Sequence, residues 1–315
     1  MAELKGEGLS ARQLGTAALT AGLSWAGGQA GGMDWRWALP AAAAVVAVQG
    51  LLLRLLNGRA LFQGGRGRAL QVLYGSWGLL LLSRVLDMAA QRVAWTGGSG
   101  AGHVWIILLL TLPLLWMGQG SAAAFFRLTE ILWLAMAIIL AALVLLMVPH
   151  VEGRYLFLDD GPWLDTALIV AEVFSPGVFV LPWLQFVERR ESRRQVRWLS
   201  GLGLAAVGGA ALTVGVLSPA LSAQLRHPFF AAAGVLGKSA RLEGLLSALW
   251  LMPDLALAGL LTRSWGAPPR PAAAAAVGGI LAATGVFHKL DAPVLGGGTL
   301  LLVILTFLLI SGREK

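Results

Sequence analysis

The chain has no cysteine, little charge and few histidines. Without cysteine, disulfides, thiol catalysis and cysteine-based metal sites are excluded. Charged residues make up 13% of the 315, about half of what a soluble domain carries, which is too little to solvate a water-facing surface. The four histidines stand at 103, 150, 227 and 288, with no two at metal-ligand spacing, so no metal or cofactor is implied. There is no Gly-Lys-Ser/Thr phosphate loop, no His-Glu-x-x-His helix and no Gly-x-Ser-x-Gly turn. Neither ATP-driven pumping nor a familiar hydrolase chemistry is indicated, and the chain reads as a non-enzyme.

What the chain does have is apolar length. Apolar residues are 57% of it, and 13 Trp against two Tyr suit a protein with many membrane–water boundaries. A spanning helix needs roughly 20 apolar residues at 1.5 Å each. Segments of that kind lie at 14–32, 37–56, 70–93, 104–122, 126–147, 163–186, 198–217, 242–261, 271–287 and 294–310. The expected fold is therefore an all-α integral membrane protein, one polytopic domain over 1–315 with about ten spans. The first 13 residues are polar and mixed in charge, unlike a cleavable signal peptide, so the first span is expected to be retained.

Charge sets the expected orientation. With the N-terminus inside, the cytoplasmic segments hold sixteen Lys and Arg and the opposite loops seven. Both termini then face the cytoplasm. The run Arg189, Arg190, Arg193 and Arg194 is a topology signal of this kind. The net charge of +8 is spread over short loops and forms no aromatic-interleaved patch, so no nucleic-acid partner is expected.

Two spans carry residues that disfavour a helix. The first has five glycines within 11 residues, Gly22, Gly27, Gly28, Gly31 and Gly32, each costing roughly 1 kcal/mol relative to Ala. The sixth has Glu172 followed by Ser175, Pro176 and Gly177, with Pro182 beyond. If the chain is two five-span halves, pseudo-repeats 11–149 and 161–311, these are the opening helices of each half. Interrupted helices at matching positions point to an inverted-repeat transporter fold with a mid-membrane binding site. Gly22, Ser24, Gly27, Gly28, Glu172, Ser175 and Gly177 are then the candidate ligand-binding residues. The alternative is that the glycines serve close helix packing.

A series of short motifs carries a family resemblance. Leu9-Ser10-Ala11-Arg12-Gln13-Leu14 opens the first span, and Phe126-Arg127-Leu128-Thr129-Glu130-Ile131 opens the fifth. Phe157-Leu158-Asp159-Asp160-Gly161 precedes the sixth, and Arg241-Leu242-Glu243 with Trp250 opens the eighth. In this order the chain resembles the B subunit of spore germinant receptors, a family related to the amino acid–polyamine–organocation transporters. The resemblance implies a fold of the leucine-transporter type with discontinuous helices one and six, and a small nutrient ligand, an amino acid above all. It also implies work beside a receptor A subunit and a lipoprotein C subunit in the spore inner membrane.

Ionisable residues inside spans are functional candidates by default. Arg84 and Asp87 stand at i, i+3 and pair on one helix face, either as a structural ion pair or as a gate. Glu172 precedes the break in span six, where it suits a ligand ammonium, a cation or a proton. Asp254 follows Pro253 in span eight, on the face of Ser247 and Trp250. Arg127, Glu130, Arg241 and Glu243 enter spans near the interface, where snorkelling suffices and the resemblance adds a gating role. The reading that follows is a nutrient-receptor subunit embedded in the bilayer. Its rival is an ion- or proton-coupled amino-acid transporter.

Overall fold

The computed structural model describes residues 9–30, 33–56, 64–97, 102–157, 162–187, 192–225, 227–237, 240–266, 270–287 and 290–311, and among these there is no strand. Ser10 starts the first helix. Its Oγ accepts from the Gln13 amide at 3.2 Å, and Gln13 Oε1 accepts from the Ser10 amide at 3.1 Å, a reciprocal cap that satisfies two otherwise unpaired donors. The Ser10 and Gln13 of the opening motif are thus a helix start.

The chain continues as α1 (Ala11–Gln29), α2 (Trp35–Leu56), α3 (Gly64–Gly97), α4 (His103–Gln119) and α5 (Ala122–Met147). Span six follows as α6 (Trp163–Val173), α7 (Ser175–Val180) and a tighter turn over Leu181–Phe186. Then come α8 (Ser192–Leu217), α9 (Pro219–Gln224), α10 (Pro228–Gly237), α11 (Ala240–Leu249), α12 (Leu251–Arg263), α13 (Arg270–Thr284) and α14 (Ala292–Ser311). Helix is present at each of the ten expected places. Among the described residues six helices are long and apolar enough to cross a membrane, within Trp35–Leu55, Gly67–Thr96, Ala122–His150, Trp163–Phe186, Arg197–Leu217 and Gly244–Arg263. The helices at His103–Gln119 and Ala292–Leu308 are apolar but shorter.

The most apolar of the six is also the least buried, as contact with lipid allows. The Ala122–His150 span is the most apolar of the six yet buries only 17% of its core window, whereas Trp163–Phe186 buries 89%. Leu145 and Trp116 are each 76% exposed on the outer surface. In water such a surface is unstable; against lipid tails it costs nothing. The chain is an all-helical membrane protein. The glycine-rich α1 is buried from Leu14 to Gly27 and packs along α8, α12, α5 and α7 near the centre of the bundle.

Two expectations about interruptions need correction. Helix one is not discontinuous: α1 is a single uninterrupted helix of 19 residues. Gly31 and Gly32 lie outside the described residues, and the glycines within α1 meet close neighbours in place of a backbone break. Trp198 fills the space a Cβ would need at Gly15, and Leu202 does so at Gly22. A Cβ on Gly27 would stand 2.6 Å from the Trp250 ring, and one on Gly28 would stand 2.7 Å from Met88. Tertiary contact of this closeness offsets the intrinsic glycine penalty. The packing alternative holds for helix one.

Span six does break, between α6 and α7 at Phe174 (φ −88°, ψ 0°). Pro176 has no amide to give the Glu172 carbonyl, its helical i−4 partner. Span eight also breaks, which was not expected. α11 ends at Leu249 and α12 begins at Leu251, with Trp250 between them at φ −70°, ψ −9°. Pro253 causes it in the same way, lacking the amide that would reach the Leu249 carbonyl. The interrupted pair is therefore six and eight. A further helix, α10, occupies what reads as loop between spans seven and eight, and buries Phe229 and Phe230 against Trp250 at ring distances of 5.1 and 5.5 Å.

Candidate functional site

Two clusters of buried polar residues stand beside the breaks, among other polar contacts in the interior. The first is built on α3. Arg84 donates to Asp87 Oδ2 at 3.1 Å, the expected i, i+3 pair. Gln91 donates to the same oxygen at 2.9 Å, and His103 Nε2 of α4 lies 3.1 Å from Asp87 Oδ1. Three side chains converge on one carboxylate that is 3% exposed. Asp87 thus joins α3 to α4, through bonds to a charged group that are stronger than neutral ones.

Glu172 sits at the last turn of α6 and is fully buried. Neither of its carboxyl oxygens has a hydrogen-bond partner among the described residues. The Arg84 guanidinium acts on it electrostatically from α3. One turn on, Ser175 is buried and its Oγ is also without a partner. Gln49 of α2 reaches into the break: its Nε2 donates to the Phe174 carbonyl at 2.9 Å, beside the Gly177 amide at 3.0 Å. The Gln49 side chain fills the space a Cβ on Gly177 would need, so this glycine accommodates an amide plug. The free volume beside Gln49 and Gly177 is ≈ 10 Å³, about one water.

The second cluster joins α1, α3 and α12. Ser24 Oγ donates to Asp254 Oδ1 at 2.8 Å, and Arg92 pairs with Asp254 Oδ2. All three residues are buried, and the Arg92 guanidinium lies over the Phe230 ring at 5.0 Å. Asp254 stands in the first turn of α12, just past the break, and not in the middle of a continuous helix. A buried pair with this many partners holds three helices in one geometry, whatever its net contribution to stability.

The expected glycine cradle is not assembled. Gly22, Gly27 and Gly28 are covered by side chains, and Ser24 is committed to Asp254. A cleft of ≈ 150 Å³ does lie beside Gly27 and Trp250, between α5 and α8, but its walls are apolar and carry no charged group. Such a wall does not suit a zwitterion. Glu130 pairs with Arg12 of α1 at 2.7 Å and not with Arg127, which is exposed. The side chains of Arg241 and Glu243, at the start of α11, lie outside the described residues, as do Asp159 and Asp160.

Four participants were missed by sequence reading: Gln49, Gln91, Arg92 and His103. Gln49 is a lone amide in the apolar run of α2, a signal that was present. Arg92 reads as a span-end charge because α3 extends beyond the apolar core it was measured by. No family model matches the chain, and no curated protein matches it.

Proposed function

We propose that the protein is a small-solute-responsive membrane bundle of transporter-like build, working at the interrupted sixth helix. One observation carries this reading: a mid-span helix break adjoins a fully buried carboxyl group with no hydrogen-bond partner among the described residues. A purely structural core gains nothing from Glu172, because a buried polar group left unpaired costs about 1–3 kcal/mol, and a charged one more. In membrane interiors such residues accompany solute or ion pathways, and broken backbone is tolerated where it lines one.

On the sequence resemblance, the solute is a nutrient such as an amino acid, and the protein is the B subunit of a germinant receptor with A and lipoprotein C partners. The two five-span halves belong to this proposal. The solute would meet the α6–α7 break against an intact α1, so Ser175 and Gly177 remain ligand candidates while the α1 glycines act as packing surface. Binding shifts the bundle between two arrangements, and the partner subunits read the shift. The test is binding of an amino-acid panel to purified protein in nanodiscs. Saturable binding that is weakened in folded Ser175→Ala supports the proposal, and absence of binding across the panel by folded protein overturns it.

Coupled transport is the second reading, favoured by the same unpaired carboxyl, since a coupling ion needs such a ligand. Gradient-dependent accumulation of labelled amino acid in proteoliposomes separates it from a receptor that binds without transport.

A further inference from the structure

Away from both breaks, a trough of ≈ 680 Å³ runs where α2 packs against α8. Leu39 lines one end of it and Arg54 the other, about 22 Å apart along α2 at 1.5 Å per residue. Its rims, Leu39, Leu51 and Leu204, are each half or more exposed on the outer surface. The polar side chains on its wall stand at one end only. Arg54 lies in the last turn of α2, where the span Trp35–Leu55 ends. Ser200 lies in the first turn of the span Arg197–Leu217. Two helices running in opposite directions thus bring a guanidinium and a hydroxyl to the same membrane boundary. Among the described residues no acidic side chain lines the trough, so the one formal charge on its wall is positive.

We infer that the α2–α8 trough holds one phospholipid with an anionic headgroup. Its phosphate lies at Arg54, beside Ser200, and one acyl chain follows the apolar wall toward Leu39. Arginine meets phosphate with a planar fork of donors that forms two parallel bonds. The hydrocarbon core is about 30 Å thick, so a chain crossing its own leaflet needs about 15 Å, less than the trough provides. A helix from a second copy or another protein fits the wall less well. It would have to bring its own acid to the boundary to meet Arg54, whereas a phospholipid carries its phosphate at that depth. A zwitterionic headgroup would set its ammonium against the same arginine, which favours a headgroup of net negative charge. The inference uses neither the helix-six break nor any solute, and stands apart from the proposed function.

The experiment is native mass spectrometry of the full chain in neutral detergent, titrated with phosphatidylglycerol, phosphatidylcholine or glycerol phosphate. One saturable phosphatidylglycerol is expected, preferred over phosphatidylcholine about fivefold, the weight of one basic residue at an anionic lipid. Glycerol phosphate, which has no chain, should not bind. Arg54→Gln is expected to abolish the preference, and added salt to reduce it. Ala47→Leu places a larger side chain in the trough at an exposed position and should weaken both lipids. Arg127→Gln, which removes an exposed arginine elsewhere, should leave the preference intact. Thermal unfolding of each variant confirms that it is folded. Equal affinity for the two lipids overturns the inference, as does a preference that survives Arg54→Gln or binding that ignores Ala47→Leu. Binding of glycerol phosphate as tight as that of the lipid overturns it and assigns a free-anion site. A dimer that excludes lipid and dissociates in Ala47→Leu also overturns it and gives the trough to a second copy.

Discussion

Ser24 and Asp254 meet at 2.8 Å, joining the uninterrupted first helix to the first turn past the break in span eight. Arg92 completes the contact from α3. Three helices far apart in sequence thereby share one carboxylate, and the energetics of that carboxylate can be tested directly.

Removing one member of a buried pair strands the other. Arg92→Ala or Asp254→Ala is expected to lower unfolding free energy by about 3–5 kcal/mol, whereas replacing both by Leu recovers most of the loss. Chemical unfolding in micelles reads this. A double variant as unstable as the sum of the singles would show that the pair is not the unit.

The Asp87 carboxylate has three partners, and their bonds are to a charged group. Asp87→Asn is expected to cost about 1.5–3 kcal/mol. Arg84→Ala combined with it should cost less than the two separate losses added, because the two residues bond to each other. Solute response measured on the same variants decides between the two readings of the pair: intact response with weaker folding leaves structure alone.

Glycines of two kinds should respond oppositely to alanine. At Gly27 a Cβ meets the buried Trp250 ring, so Gly27→Ala is expected to destabilise by about 1–3 kcal/mol. At Gly208 and Gly209 of α8 nothing lies within 4 Å of the added atom. Alanine there should stabilise by up to about 1 kcal/mol through helix propensity. Equal effects at Gly27 and Gly208, followed by thermal unfolding, would contradict the packing role of the α1 glycines.

The Arg12–Glu130 pair is solvent-accessible, with the arginine side chain 72% exposed. Arg12→Ala is expected to change stability by under about 1 kcal/mol, and less at high salt. A larger loss, measured across a salt series, would give this contact a gating weight that its exposure does not suggest.

The helical membrane class was legible in the sequence because it follows from composition and length. Low charge and long apolar runs leave few other solutions, and each of the ten expected spans contains helix. The break in span six was legible for a local reason: Pro176 lacks the donor its turn requires, and no packing restores it. Pro253 carried the same signal before Asp254, but a firm apolar run obscured it.

Helix one went the other way. Its glycines make a helix expensive in isolation, and only the neighbours supplied by α3, α8 and α11–α12 through Met88, Trp198, Leu202 and Trp250 show that they are close-packing positions. Propensity is a property of the segment, whereas a filled glycine slot is a property of two segments brought together. The same holds for the polar interior. Residue types placed Arg84, Asp87, Glu172 and Asp254 within the membrane, but which of them found partners was decided by tertiary contact, as hydrogen bonds reach only about 3 Å. Hence Asp254 is held by Arg92 and Ser24, while the Glu172 oxygens find no hydrogen-bond partner among the described residues.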